Sequence, residues 1–308
     1  MKAVMYHYVR ERVEGLPNFR FLHFRDFCKQ LDLFEQHFRF ISLNEFVEIM
    51  SGDGELPDDV VVLTFDDGLQ DHYRYVFPEL VKRNTFGIFY SATQPLAIGK
   101  FLDVHRIHLL VGSVSGQELL DQLNAVVSQD MIPDSKVAEF QKLTYLKQDN
   151  SQAVTTIKRI LNYFIGYQWR TGIIDILIKA NNISSVVDEF YLTDQQLREM
   201  HRNGMLIGSH SVSHPVLSRL PYNSQLHEIQ ESFKFLDEVV GGLTVKTFCY
   251  PYGGFHSFNR MTEDILSQEN CLFSFNVESR DIYRRDIVER PQALPRFDCN
   301  EFPHGIAS

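Results

Sequence analysis

The chain has 308 residues, of which 44% are hydrophobic and 23% charged, as in an ordinary soluble globular protein. Its formal net charge of −10 and the lack of a Lys/Arg run argue against a nucleic-acid partner or a membrane held by basic patches. Because we find neither a signal peptide nor a run of roughly 20 apolar residues that would span a membrane, we expect a cytoplasmic protein.

The first third of the chain alternates predicted strands and helices. A strand over residues 2–6 places His7 at its end, and an amphipathic helix follows. This alternation predicts βαβ units, which require parallel strand pairing and right-handed crossovers. The predicted elements are a strand at 2–6, a helix at 24–37, a strand at 40–42, a helix at 43–51, a strand at 60–65, a helix at 73–83 and a strand at 85–90.

Two adjacent carboxylates follow the most apolar of these strands. Residues 60–63 are Val-Val-Val-Leu, which is typical of a strand buried on both faces, and the strand runs directly into Asp66 and Asp67 before Gly68. Paired carboxylates at the end of a buried strand are costly unless a cation holds them. An ordinary Asp-Asp-Gly turn is the alternative, and this stretch alone leaves both interpretations open.

The middle of the chain shows helical periodicity and almost no strand signal. We predict helices at 116–128, 135–148, 152–165 and 168–180. Residues 101–189 would then form an all-helical insertion in an α/β domain made of 1–100 and 190–308, acting as a cap or as an oligomerisation module. His105 and His108 lie where this insertion begins. They either bind metal or substrate or occupy a helix face, and the pattern favours the helix face.

The α/β pattern resumes with a histidine pair. The apolar run Met205–Ile207 leads towards His210 and His214, four residues apart, a spacing at which two imidazoles on one helical turn can bind one metal ion. Repeated βα units with polar residues at strand ends predict an α/β barrel, whose strand carboxyl ends form the active face. The remaining predicted elements are helices at 193–203 and 223–241 and strands at 245–250, 271–277 and 293–297.

Three segments together resemble the polysaccharide deacetylase family, carbohydrate esterase family 4. Thr64–Gly68 (Thr-Phe-Asp-Asp-Gly) is similar to the first family motif, His210–His214 to the second and Phe248–Gly253 to the third. The opening Met5-Tyr6-His7 is similar to one branch of the family. The resemblance implies a distorted (β/α) barrel of the polysaccharide deacetylase type and a metal-dependent hydrolase.

The motif positions imply a role for each residue. Asp67, His210 and His214 would bind one divalent metal ion, expected to be zinc, and Asp66 would be the general base. The backbone N–H of Tyr252 would contribute to the oxyanion site. Such a metal site has three protein ligands and an open position, as catalytic zinc sites do.

Two family positions are altered in this chain. The third-motif arginine that orients the base is replaced by Cys249, and Arg296 is the candidate substitute, a surface or capping arginine being the alternative. The late histidine that supplies the catalytic acid is missing from 270–308, where His304 lies in a Pro/Gly tail. The resemblance to the Met-Tyr-His branch makes His7 the predicted acid, with a structural histidine as the alternative.

The resulting functional prediction is a metal-dependent N-deacetylase. It would act on an amino sugar in a small nucleotide- or lipid-linked precursor of a cell-surface polysaccharide. A deformylase acting on a formamido sugar shares the chemistry, and an inactive carbohydrate-binding relative is the alternative outside the enzymes. The expected partner is the N-acylated sugar, and an oligomer formed through the helical insertion is left open.

Overall fold

The computed structural model describes residues 1–145, 150–184 and 186–307 of the chain. The chain divides into two compact units. The barrel unit comprises Met1–Arg12, Phe21–Lys100 and Val187–Ser308, and the helical unit comprises Val13–Arg20 and Phe101–Val186. The segment Val13–Arg20 is part of the helical unit although it lies far from that unit in the sequence.

The strands belong to the barrel unit. Along the described residues they are β1 (Lys2–Tyr6), β2 (Val9–Arg10), β3 (Leu22–His23), β4 (Arg39–Phe40), β5 (Val60–Phe65), β6 (Gly87–Ser91), β7 (Leu206–Ser209), β8 (Thr247–Cys249), β9 (Phe273–Phe275) and β10 (Phe297–Asp298).

The main sheet is parallel and curled. Its strand order is β10-β1-β5-β6-β7-β8-β9, with β4 also paired to β5, while β2 and β3 form a separate parallel pair. All six residues of β5 are buried, which explains its Val-Val-Val-Leu sequence, because a strand covered on both faces gains from β-branched and aliphatic side chains. Together with the surrounding helices, this sheet confirms the predicted distorted α/β barrel.

A short segment near the carboxyl terminus spans the gap between the first and last strands. Leu294 pairs in parallel with Phe275 of β9, and Phe297 pairs with Val4 of β1. Arg296 lies between these two pairings and is fully buried. The same segment therefore curls the sheet towards a barrel and carries an arginine into its interior.

The α-helices surround the sheet in the barrel unit and form the core of the helical unit. In chain order they are α1 (Phe24–His37), α2 (Leu43–Ser51), α3 (Phe77–Lys82), α4 (Gln94–Ile98), α5 (Asp103–Ser113), α6 (Gly116–Val126), α7 (Asp134–Phe140), α8 (Gln152–Arg159), α9 (Tyr167–Ala180), α10 (Val187–Phe190), α11 (Asp194–Arg202), α12 (Tyr222–Val240), α13 (Arg260–Gln268) and α14 (Arg284–Glu289).

Some helices differ from the sequence prediction. The helix predicted at 73–83 begins with a π-helical turn, His72–Val76, ahead of α3, because Pro78 has no N–H to donate to the preceding turn. The helix predicted at 135–148 is α7 and ends at Phe140; its predicted residues 146–148 lie outside the described residues. The helices α4, α13 and α14 were not predicted, and α5 and most of α10 lie in the segment predicted to be all-helical without having been placed individually.

The helical unit has its own apolar core. Leucine and isoleucine side chains from α5, α6, α8 and α9 form it, among them the fully buried Ile107, Leu119 and Ile174. Burial of each such side chain contributes about 1.5–3 kcal/mol, which offsets the entropy of ordering the unit. Across the described residues, we find no helix with the length and apolarity needed to cross a lipid bilayer.

Candidate active site

The strand register brings the motif residues to one edge of the sheet. Tyr6 of β1 pairs with Phe65 of β5, and the amide of Asp66 donates to the carbonyl of Tyr6 at 3.0 Å. His7 therefore follows its strand beside the two aspartates. Ser209 of β7 pairs with Phe248 of β8, so His210 follows beside Cys249. The carboxyl ends of these parallel strands form the candidate site.

Asp67, His210 and His214 present their ligand atoms to a common point. Oδ1 of Asp67 lies 3.4 Å from Nε2 of His210 and 3.4 Å from Nε2 of His214, and all three residues are buried. Two imidazole nitrogens and one carboxylate oxygen are a donor set of catalytic zinc sites. The residues present therefore fit a divalent metal ion.

The electrostatics of the pocket also favour a cation. Burial disfavours a charged imidazole at His210, but its interactions with Cys249 and with the carboxylates of Asp67 and Asp66 outweigh burial and raise the pKa of His210 well above its ordinary range. A pocket that stabilises positive charge in this way is suited to a metal ion.

The histidine pair lies on a loop, and the helical turn suggested by the four-residue spacing does not form. Ser211 and His214 have left-handed backbones, with φ of 68° and 57°. A helix cannot continue through His214 because Pro215 disfavours the helical conformation in the residue before it. The hydroxyl of Ser211 accepts the N–H of His214 at 3.0 Å, so a side-chain turn replaces the helical turn.

A left-handed backbone conformation at Asp67 and Gly68 also sends the side chains of the two aspartates in different directions. Asp67 has φ of 81° and Gly68 has φ of 64°, which ends β5 abruptly. A Cβ on Gly68 would lie 2.7 Å from Oγ of Ser91, so this position requires glycine on two grounds. The turn directs Asp67 to the histidines, while Asp66 contacts a different partner.

The ring of His210 is held in one tautomer. Its Nδ1 lies 2.7 Å from the carbonyl oxygen of Cys249, which can only accept, so Nδ1 carries the proton. Nε2 then faces Asp67 and the candidate metal position. Metal-binding histidines are commonly oriented by a hydrogen bond from the other ring nitrogen.

Asp66 forms a buried, bidentate ion pair with Arg296. The two guanidinium nitrogens lie 2.9 Å from Oδ1 and 2.8 Å from Oδ2 of Asp66, and Arg296 also donates to the hydroxyl of Thr64 at 2.9 Å. Burial alone would raise the pKa of Asp66, but the charge and hydrogen bonds of Arg296 outweigh it and hold that pKa well below the ordinary range. Asp66 is therefore ionised at any ordinary pH.

Cys249 completes the surroundings of this ion pair. Its Sγ accepts from the guanidinium of Arg296 at 2.9 Å and faces Oδ2 of Asp66 at 3.4 Å. Burial raises the pKa of the thiol, which keeps it neutral and able to donate to Asp66. Arg296 thus reaches the carboxylate beside Cys249, the position at which the family motif has an arginine.

Replacing Arg296 with methionine is expected to lower the free energy of unfolding by about 3–5 kcal/mol, because Asp66 would remain buried without its counter-charge. Denaturant unfolding measures the loss, and an Asp66→Asn/Arg296→Met double variant should recover part of it. Because the pKa of Asp66 is lowered, its ion pair stabilises the fold above the ordinary aspartate pKa, and this contribution disappears as the pH falls through the folded pKa. An unfolding free energy close to wild type in the single variant would contradict this description.

His7 and Tyr252 lie at the edge of the donor set. Nε2 of His7 is 4.0 Å from Oδ2 of Asp67, and its side chain is 41% exposed, in contrast to the buried ligand candidates. The carbonyl of His7 accepts from the buried His72 at 3.0 Å, and burial lowers the pKa of His72 to about 4, so that ring is neutral. The ring of Tyr252 packs against His214 with 4.9 Å between centroids, and its backbone is left-handed, with φ of 66°.

The described residues contain two groups of converging metal-ligand atoms. One is Asp67, His210 and His214, and the other is Asp66, His210 and Cys249. Neither includes His105 or His108, which lie on α5 of the helical unit with ring centroids 5.8 Å apart. In the second group Arg296 already occupies the carboxylate of Asp66, so the first group is the better cation site.

One residue near the site had no counterpart in the sequence prediction. Glu228, on α12, is 8% exposed and accepts hydrogen bonds from the loop that carries both histidines. The sequence did contain a signal for Glu228: it is an acidic residue that lies next to Ile229, on the apolar face of the helix predicted at 223–241. A carboxylate in that position needs buried donors, but the pattern does not say which segment supplies them.

The fold and the donor set define an α/β barrel protein with a candidate metal-binding site at its strand carboxyl ends. The polysaccharide deacetylase family model matches residues 141–270, a range that contains both histidines and the Cys249 segment. This match confirms the resemblance to the polysaccharide deacetylase family that the motifs indicated. A search of curated proteins found no match.

Solved structures of deacetylases share the fold. A deacetylase from Streptococcus pyogenes, PplD in complex with acetate, is 18% identical with a TM-score of 0.60, covering 97% of this chain and 91% of that one. IcaB from Ammonifex degensii is 19% identical with a TM-score of 0.53, covering 89% and 82%. The BpsB deacetylase domain from Bordetella bronchiseptica is 15% identical with a TM-score of 0.55, covering 96% and 94%.

Proposed function

We propose that this protein is a metal-dependent carbohydrate N-deacetylase, which hydrolyses the amide of an N-acetylated amino sugar. The observation that carries the proposal is that two consecutive aspartates have different partners. Asp67 faces two histidines in a metal-ligand set, and Asp66 forms a bidentate ion pair with Arg296. The family match supports the substrate class, since its members are polysaccharide deacetylases.

The proposed metal ligands are Asp67, His210 and His214, and zinc is the expected ion. A divalent ion held by these residues would supply Lewis acidity, polarising the amide carbonyl and making water more acidic. The bond from Nδ1 of His210 to the carbonyl of Cys249 directs its Nε2 towards the proposed metal position. Because the pKa of His210 is raised, Nε2 would lose its proton when a metal ion binds there. The backbone N–H of Tyr252 is the proposed donor to the developing oxyanion.

Asp66 is the proposed general base. Its carboxylate would take the proton from the attacking water, and Arg296 would hold both oxygens in orientation through two hydrogen bonds. The lowered pKa of Asp66 makes it a weaker proton acceptor but keeps it ionised at every ordinary pH. Arg296 is thus proposed to take over the orienting role that the family assigns to the position of Cys249.

His7 is the proposed acid for the leaving amine. His7→Ala is expected to fold and to bind metal like the wild type but to lose about 10²–10⁴-fold in kcat, because the amine would leave without a proton. The alkaline limb of the pH–rate profile should change as well, since it reports the loss of the acidic proton. His23→Ala, a histidine at the start of α1, is the matched control. Wild-type turnover in His7→Ala would make His7 a structural residue.

The acyl group and the size of the substrate are the finer parts of the proposal. Acetate is favoured over formate, and the S. pyogenes structure with acetate supports this choice. A small nucleotide- or lipid-linked sugar is favoured over a finished polymer. The net charge of −10 gives no attraction towards those polymers that are anionic.

Product analysis tests these points together. The substrates are an N-acetylated sugar nucleotide, its N-formyl counterpart and a long N-acetylglucosamine oligomer, with acetate and formate measured directly. We expect acetate from the sugar nucleotide at the highest kcat/KM. Faster hydrolysis of the oligomer would overturn the small-substrate proposal, preferential formate release would favour a deformylase, and no release from any substrate would favour an inactive carbohydrate-binding relative.

A further inference from the structure

The loop between His210 and Pro215 is tethered through its backbone. Its carbonyls are bound from one side, where the amides of Thr93 and Gln94 donate to Ser211 and Val212 at 3.1 and 2.9 Å. Its amides are bound by side chains of the barrel unit. A loop with left-handed residues needs such tethers, because each left-handed non-glycine residue costs about 1–3 kcal/mol.

Glu228 on α12 binds the other side of the loop. Its Oε2 accepts the N–H groups of Val212 and Ser213, both at 2.8 Å, and its Oε1 accepts the hydroxyl of Ser213 at 2.6 Å. Three donors from two consecutive loop residues therefore converge on one largely buried carboxylate. Hydrogen bonds to a charged acceptor are stronger than neutral ones, so this is the firmest anchor of the loop.

A second side chain of α12, one helical turn after Glu228, also binds this part of the chain. Ser232 lies four residues after Glu228 and shares a 2.6 Å hydrogen bond with the hydroxyl of Ser209, which in turn accepts the N–H of Ser211. Glu228 and Ser232 are on the same face of the helix because residues four apart are neighbours on a helix surface. The buried face of α12 thus supplies two polar side chains, Glu228 and Ser232, that bind the loop and the strand end before it.

We propose that Glu228 is a positioning residue for the metal site, fixing the loop so that His210 and His214 both face Asp67. This inference rests on the proposed metal-dependent function. Glu228 holds Val212 and Ser213, two of the three residues between the histidines. Without Glu228, the loop would relax out of its left-handed conformation. The Nε2 atoms of the two histidines would then no longer both face Asp67 in the metal-free protein.

Zinc affinity, measured without substrate, tests this proposal. The apparent Kd for Zn²⁺ is determined by competition with a chromophoric chelator for wild type, Glu228→Gln, Glu228→Ala and a control. The control is Glu79→Gln on α3, a carboxylate that is 7% exposed and binds Arg83. We expect about 10-fold weaker binding in Glu228→Gln, where an amide replaces one acceptor, and up to about 100-fold in Glu228→Ala. Glu79→Gln should keep the wild-type Kd.

The outcomes separate the proposal from the metal site itself. Wild-type Zn²⁺ affinity in folded Glu228→Gln would overturn the role of Glu228 and leave the metal site intact. If neither Glu228 variant folds, Ser213→Ala decides, since it removes one donor to the same carboxylate and should weaken binding about threefold to tenfold, with an unchanged Kd overturning the proposal. Wild-type protein that binds no Zn²⁺ would overturn the donor set and the proposed function with it.

Discussion

His210→Ala and His214→Ala are each expected to abolish metal binding at micromolar concentrations and hydrolysis with it. Each variant removes one of three converging ligand atoms and leaves Oδ1 of Asp67 with one of the two ligand imidazoles that lie 3.4 Å from it. Loss of a direct ligand should weaken binding beyond the about 10–100-fold that changes in outer residues cause. Metal content by elemental analysis and acetate release measure the two effects.

A matched control separates this effect from general damage. His201 lies on α11, where its ring is 3.2 Å from the hydroxyl of Thr244, and it belongs to neither group of converging ligand atoms. His201→Ala should keep wild-type metal content and turnover. Full metal occupancy and normal turnover in both His210→Ala and His214→Ala would contradict the site assignment.

Asp66→Asn is expected to retain the metal and to lose about 10²–10⁴-fold in kcat. Asparagine keeps one oxygen for the guanidinium of Arg296 and matches aspartate in size, but it cannot accept the proton of the attacking water. Metal content, KM and kcat should be measured on the same preparation. The expected pattern is normal metal content with a reduced kcat, because the change affects the transition state more than substrate binding.

Asp67→Asn supplies the contrast to this result. The amide oxygen is a weaker ligand than a carboxylate, so this variant should lose metal, and its activity should partly return at high metal concentration. Activity of Asp66→Asn should not respond to added metal. If Asp66→Asn lost the metal while Asp67→Asn kept it, the two carboxylates would have exchanged roles.

The elements that the sequence predicted well are those with strong local patterns. Val60–Phe65 is apolar except for Thr64 and forms the strand expected, and the acidic pair after it lies at the strand end beside His7. The α1 and α2 helices have the predicted bounds because their apolar periodicity is strong and α2 begins at a serine cap. Local chemistry was sufficient for these elements.

The parts that could not be predicted depend on distant segments. Arg296 meets Asp66 across 230 residues of sequence, through a short segment with little strand signal of its own. The histidine loop precedes Pro215 and binds Glu228 of α12 through its amides, contacts that the spacing of the two histidines does not reveal, and the helical turn that this spacing suggested does not form. A four-residue spacing fits both a helix and a tethered loop, and only tertiary contacts distinguish them.

The most direct test of the central claim is to locate the metal. Crystals of the protein grown with Zn²⁺ and measured at the zinc absorption edge should show one anomalous peak, about 2.0–2.2 Å from Asp67 Oδ1 and from Nε2 of both His210 and His214. A peak bound instead by Asp66 and Cys249, or no peak at these strand ends, would contradict the account.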